Sequence, residues 1–75
     1  MSPKIPVVPA SHLIKALLKF GYYIRSQQGS HVHLRHPICP PLTIPNHKEI
    51  ARGTLRAIIR QAGLSIDQLI DLLKK

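Results

Sequence analysis

The chain has 75 residues, with 11 lysines and arginines against 3 acidic residues, and a formal net charge of +8. A single domain of this size buries only about 60% of the surface its unfolded chain exposes, which argues against a deep enclosed pocket and suits a shallow site open to a polymer. The positive excess points to a polyanionic partner (nucleic acid, an anionic membrane surface or an acidic protein), while no apolar run approaches the ~20 residues of a membrane span.

The first ten residues, within "MSPKIPVVPAS", carry prolines at 3, 6 and 9 and lack the unbroken apolar core of a signal peptide. They are expected to form an extended arm over residues 1–10, with one domain over residues 11–75. Ser11 is placed to cap a helix starting near His12, whose apolar face is Leu13, Ile14, Leu17 and Leu18 and whose stop is Gly21. "YYIRSQ", residues 22–27, is rich in strand formers, and Gln28-Gly29 predicts a turn. "SHVHLRH", residues 30–36, alternates, with Val32 and Leu34 on one face and His31, His33 and Arg35 on the other. The prolines of "PICPP" break this strand, and "LTI", residues 42–44, predicts a short third one.

After a polar connection the period changes to that of a helix. From Thr54, Leu55, Ile58, Ile59 and Ala62 form an apolar stripe that Gly63 terminates, and Arg52, Arg56 and Arg60 run beside it every four residues. Ser65 and Gln68 have capping-box spacing before a last helix with Ile66, Leu69, Ile70 and Leu73. The order helix, three strands, two helices predicts an α+β domain of two layers, with helices covering one face of an antiparallel meander.

The histidines are the chemical question. His31, His33, His36 and Cys39 make H-x-H-x-x-H-x-x-C, and imidazole and thiolate are good zinc ligands. Alternation, however, turns His36 away from His31 and His33, and no second ligand pair follows at finger spacing. No metal or other cofactor is therefore expected. The single cysteine also has no internal disulfide partner, in keeping with a reducing cytoplasm. A Ser-His-Asp hydrolase fits poorly, because Ser30 and His31 are strand neighbours facing opposite ways.

General acid–base chemistry on a phosphodiester uses what the chain has. Histidine exchanges protons near neutral pH, RNA supplies its own 2′-hydroxyl nucleophile, and an adjacent arginine steadies the phosphorane. Such assistance is typically worth ~10² to 10⁴ in rate. The competing possibility is a solvated strand face whose histidines do nothing, and the arginines at 52, 56 and 60 have the same bland alternative. Either Tyr22 or Tyr23 could stack on a base, one of the two being expected in the core.

Two blocks, "KFGYYIRSQQGSHVHLRHP" and "LTIPNHKEIARGTLRAIIRQAGLS", carry a family resemblance. Gly29-Ser30-His31, then Pro45-x-His47-Lys48-Glu49, then Gly53-Thr54-Leu55-Arg56 occur in an order and spacing similar to those of the HicA (YcfA-like) mRNA interferase toxins. The resemblance covers roughly residues 11–70. It implies a fold like the double-stranded-RNA-binding domain (dsRBD-like, α-β-β-β-α), here with an extra short C-terminal helix. It implies the toxin of a type II toxin–antitoxin system, a metal-independent endoribonuclease acting on mRNA in the cytoplasm and masked by a HicB-like antitoxin. The motif histidine is His31, which makes it the expected catalytic residue. His33 and His47 are candidates for a second proton-transfer group. Arg25 and Arg35 are expected at the scissile phosphate, with Lys48, Arg52, Arg56 and Arg60 on flanking phosphates. The sequence departs from the family where Val32 rather than a histidine or aromatic follows the motif histidine, and in the uncharged, proline-heavy "PICPP" loop. A non-catalytic double-stranded-RNA binder remains the alternative, reading A-form shape through phosphate and 2′-hydroxyl contacts.

Overall fold

The computed structural model describes residues 7–74. Helix α1 (Ala10–Phe20) is followed by strands β1 (Tyr23–Gln28), β2 (His31–Arg35) and β3 (Leu42–Pro45), then by helices α2 (Arg52–Ala62) and α3 (Ile66–Lys74). The strands form one antiparallel sheet in the order β1-β2-β3. This is the expected α+β meander with helices on one side, consistent with the dsRBD-like fold. Among the described residues no helix is long and apolar enough to cross a membrane.

The element ends differ from the sequence expectation in instructive ways. Helix α1 begins at Ala10, so Ser11 lies inside the first turn and caps nothing. Pro9 occupies the cap position in extended conformation, and its carbonyl accepts hydrogen bonds from the amides of His12 and Leu13. The Ala10 amide donates to the His47 carbonyl at 3.0 Å, so tertiary structure satisfies a group that a side-chain cap would otherwise serve. Helix α2 likewise starts at Arg52 rather than Thr54, with the Ala51 carbonyl accepting from Leu55.

At the other end of α1, Gly21 stops the helix at φ 117°, with its amide bonded to Leu18 and that of Tyr22 to Leu17. The capping box of α3 forms as expected: the Ser65 amide donates to Gln68 Oε1 at 2.8 Å and the Gln68 amide to Ser65 Oγ at 3.1 Å. The first hairpin pairs Gln28 with His31, so its tip is Gly29-Ser30, one residue later than expected. Gly29, at φ 59°, takes the first tip position and Ser30 keeps negative φ, the arrangement of a type II′ turn.

The core lies between the sheet and the helices. Val32 and Leu34 of β2 and Leu42 and Ile44 of β3 point inward onto Leu13 and Leu17 of α1, Leu55 and Ile59 of α2, and Leu69 of α3, all buried. Of the proline arm, residues 1–6 lie outside the described residues, and Val8 forms an antiparallel bridge with Ile50. The helices pack beneath β3 and β2. Strand β1 overhangs them: all six of its residues are exposed, including Ile24 at 52%.

Candidate active site

Strand parity builds the site. Because Val32 and Leu34 are drawn into the core, His31, His33 and Arg35 must face outward. The register then sets their neighbours. Ser26 and Thr43 flank His33, Gln28 and Pro45 flank His31, and Tyr23 lies opposite Arg35. A β-bulge between Ile24 and Ser26 leaves Arg25 as the extra residue of the edge strand. Bulges re-aim side chains, and here Arg25 reaches the same outer surface as His33.

The outer surface is hollowed into an open depression of about 350 Å³ lined by Arg25, Ser26, Gln28, His33, Leu34, Arg35, Pro41, Leu42 and Thr43. His33 is half-buried there, with Nδ1 3.2 Å from Thr43 Oγ1. His31 stands one strand repeat further along the same face, exposed beside the hairpin tip. Two residues of rise separate the histidine Cα atoms by about 6.5–7 Å. None of Glu49, Asp67 and Asp71, the chain's only carboxylate side chains, lines the depression. Its charge is therefore that of two guanidinium groups, close to imidazoles that can exchange protons.

The other expected contacts are more dispersed. His47 is exposed just after β3; its amide donates to the Pro45 carbonyl and its carbonyl accepts from Ala10. The Asn46 amide bonds to the Ser30 carbonyl at 2.6 Å, which brings this segment to the same end of the sheet as His31. Lys48 is exposed on the following segment, and Arg52, Arg56 and Arg60 are exposed on α2 in the helical layer. None of these lines the depression.

His36 has a structural role. Its ring packs against Tyr22 and Phe20, with centroids 4.8 and 5.6 Å away. Nδ1 accepts the amides of Ile38 and Cys39 at 3.0 and 3.1 Å, and Nε2 lies 3.3 Å from the Phe20 carbonyl. The ring thus pins the 37–39 loop to the end of α1. A Cβ at Gly21 would sit 2.7 Å from His36 Nε2, so both the φ and the close approach select glycine there. Tyr22 is the core member of the tyrosine pair, 3% exposed, with its hydroxyl donating to the Pro40 carbonyl at 2.8 Å. Burial, and secondarily nearby Cys39, raises its pKa above the ordinary phenol value. Tyr23 is 52% exposed. Among the described residues, no group of three or more His, Cys, Asp or Glu side chains is arranged to hold a metal ion.

Sequence reasoning did not single out Thr43, Ser26 or Gln28. Alternation in "LTI" marks Thr43 as outward-facing, but pairing it with His33 requires the register across the 36–41 connection, which periodicity does not supply.

The family model described as HicA toxin of bacterial toxin–antitoxin matches residues 10–64, from the first residue of α1 to just beyond α2. No curated protein matches the chain. The match covers most of the chain, including β1, β2 and β3 and every residue that lines the depression, and by its extent the chain belongs to the HicA family, as a toxin of a toxin–antitoxin system.

Proposed function

We propose that the chain is an endoribonuclease that cleaves mRNA by histidine general acid–base catalysis, with the substrate's 2′-hydroxyl as nucleophile. The observation that carries this is the outer face of β2, where His33 and Arg35 line, with Arg25, an open depression that no carboxylate lines, and His31 stands one strand repeat away on the same face, outside that lining. A ribose–phosphate backbone fits such a surface, since an open face admits a polymer and guanidinium groups bind phosphate in a bidentate fork.

In this mechanism His31, the histidine of the family motif, exchanges a proton with the 2′-hydroxyl or the 5′-leaving oxygen. Arg35 and Arg25 hold the scissile phosphate and oppose the charge that builds on it. A second imidazole, His33 or His47, serves the other oxygen. The chemistry uses imidazole and guanidinium groups and calls on no metal ion. Lys48, Arg52, Arg56 and Arg60 contact flanking phosphates outside the depression, so affinity falls as salt rises. The exposed ring of Tyr23 beside Arg35 offers a base a stacking surface. A HicB-like antitoxin covers the cationic face in the cytoplasm, and its release exposes the toxin.

Inducible expression in a growing bacterium tests the proposal. The parent chain is expected to arrest growth and deplete mRNA, and a folded His31→Ala variant is expected to do neither. Equal toxicity of the two would remove His31 from the mechanism. RNA binding without any cleavage by the parent would select the non-catalytic double-stranded-RNA binder, which the helix–three-strand–helix order also suits.

A further inference from the structure

His33 and His47 compete for the second proton transfer, and the fold treats them differently. His33 sits on the middle strand of the sheet, within the depression that Arg25 and Arg35 also line. Its Nδ1 lies 3.2 Å from Oγ1 of Thr43, its cross-strand partner on β3. Both residues belong to regular strands whose inward neighbours, Val32, Leu34, Leu42 and Ile44, are buried, so the backbone beneath the pair is fixed. His47 lies beyond the end of β3, held by its backbone amide and carbonyl; like His31 it does not line the depression, but unlike His31 it has no place on the outer face of β2.

We infer that His33 is the general acid of the cleavage reaction and that Thr43 is its positioning residue, an inference that rests on the ribonuclease function proposed above. In this assignment Thr43 Oγ1 accepts from Nδ1–H, so the Nδ1 proton is retained whether or not Nε2 carries one. Nε2 is then the nitrogen that exchanges protons. His31, on the same strand face, takes the proton of the 2′-hydroxyl as O2′ attacks phosphorus. The O2′–P bond forms and the P–O5′ bond breaks. The departing 5′-oxygen receives the Nε2 proton of His33. One RNA end then carries a 2′,3′-cyclic phosphate and the other a 5′-hydroxyl, and proton exchange with water resets both imidazoles.

The test uses the purified full chain and an RNA oligonucleotide that it cuts, in single-turnover reactions across a pH series. His33→Gln is expected to lower the rate at saturation by about 10² or more, with little change in apparent substrate affinity, and to abolish the alkaline limb of the pH profile, which reports loss of the acid's proton. A substrate with sulfur in place of the bridging 5′-oxygen has a leaving group that needs no protonation. His33→Gln is expected to cut it at close to the parent rate. Thr43→Val should show a smaller loss at saturation and a displaced alkaline limb, with Thr43→Ser restoring both. An intact alkaline limb in His33→Gln, or sulfur rescue in His47→Gln instead, would overturn the assignment of the acid while leaving the ribonuclease function standing. A parental profile in Thr43→Val would overturn the positioning role. Failure of the parent chain to cut any RNA would overturn the ribonuclease function, and the inference with it.

Discussion

On the outer face of β2, His31 is exposed and His33 is half-buried above the sheet; just past the strand's end, His36 is wedged between Phe20, Tyr22 and the 37–39 loop. One stretch of six residues, 31–36, therefore holds histidines of two kinds. His36 has Nδ1 filled by two backbone amides and Nε2 against a carbonyl, so its ring is part of the scaffold. His33 has Nδ1 against one hydroxyl and lines an open depression with two arginines. What separates a catalytic candidate from a structural histidine here is which ring nitrogens the protein itself occupies, a property that strand parity begins to decide and loop geometry completes.

Three substitutions probe the inner side of this contrast through stability, in descending order of effect. Leu34→Ala, between His33 and Arg35 but fully buried, should cost about 2–5 kcal/mol in urea unfolding. A cost near zero would mean that the strand is not anchored by its inward face, and the parity that exposes His31 and His33 would lose its cause. His36→Ala removes the acceptor of the Ile38 and Cys39 amides together with the ring that fills the space beside Gly21, and should cost about 1–3 kcal/mol. If it left stability unchanged and instead abolished RNA cleavage, the division between structural and catalytic histidines would be reversed.

Tyr22→Phe is the mildest, at about 1 kcal/mol for the hydroxyl's bond to the Pro40 carbonyl. Its pH dependence has a definite sign. Because burial raises the Tyr22 pKa in the folded chain, the unfolded chain ionises first as pH climbs past about 10. The folded state then binds the extra proton, and stability falls with rising pH through that window. The parent should lose stability above that pH faster than Tyr22→Phe does, as read from unfolding at matched alkaline pH. Parallel curves would mean that the phenol is not shielded from solvent.

Much of this architecture was legible in the sequence because two periods dominate it. The alternation of "SHVHLR" sorts His31, His33 and Arg35 from Val32 and Leu34, and the helical stripe of Leu55, Ile58, Ile59 and Ala62 marks α2. Gly21, Gly63 and the Ser65–Gln68 box mark ends, since each satisfies orphan helix groups locally. The start of α1 was not legible. Its amide partner is the His47 carbonyl, remote in sequence, and local rules favoured the Ser11 hydroxyl. The bulge that frees Arg25 and the register that sets Thr43 beside His33 are likewise long-range products of strand pairing. Parity placed His36 on the opposite side from His31, but its capture of the 37–39 amides depends on a loop conformation that no periodicity encodes.

The central claim is that the RNA supplies the nucleophile and the imidazoles of the outer sheet face move the protons. Cleavage of matched oligonucleotides, one all-ribose and one with a single 2′-deoxy sugar at the cut site, tests it most directly. The ribose substrate should be cut to a 2′,3′-cyclic phosphate and a 5′-hydroxyl, and the deoxy substrate should stay intact at that position. Cleavage of both at equal rates would contradict it.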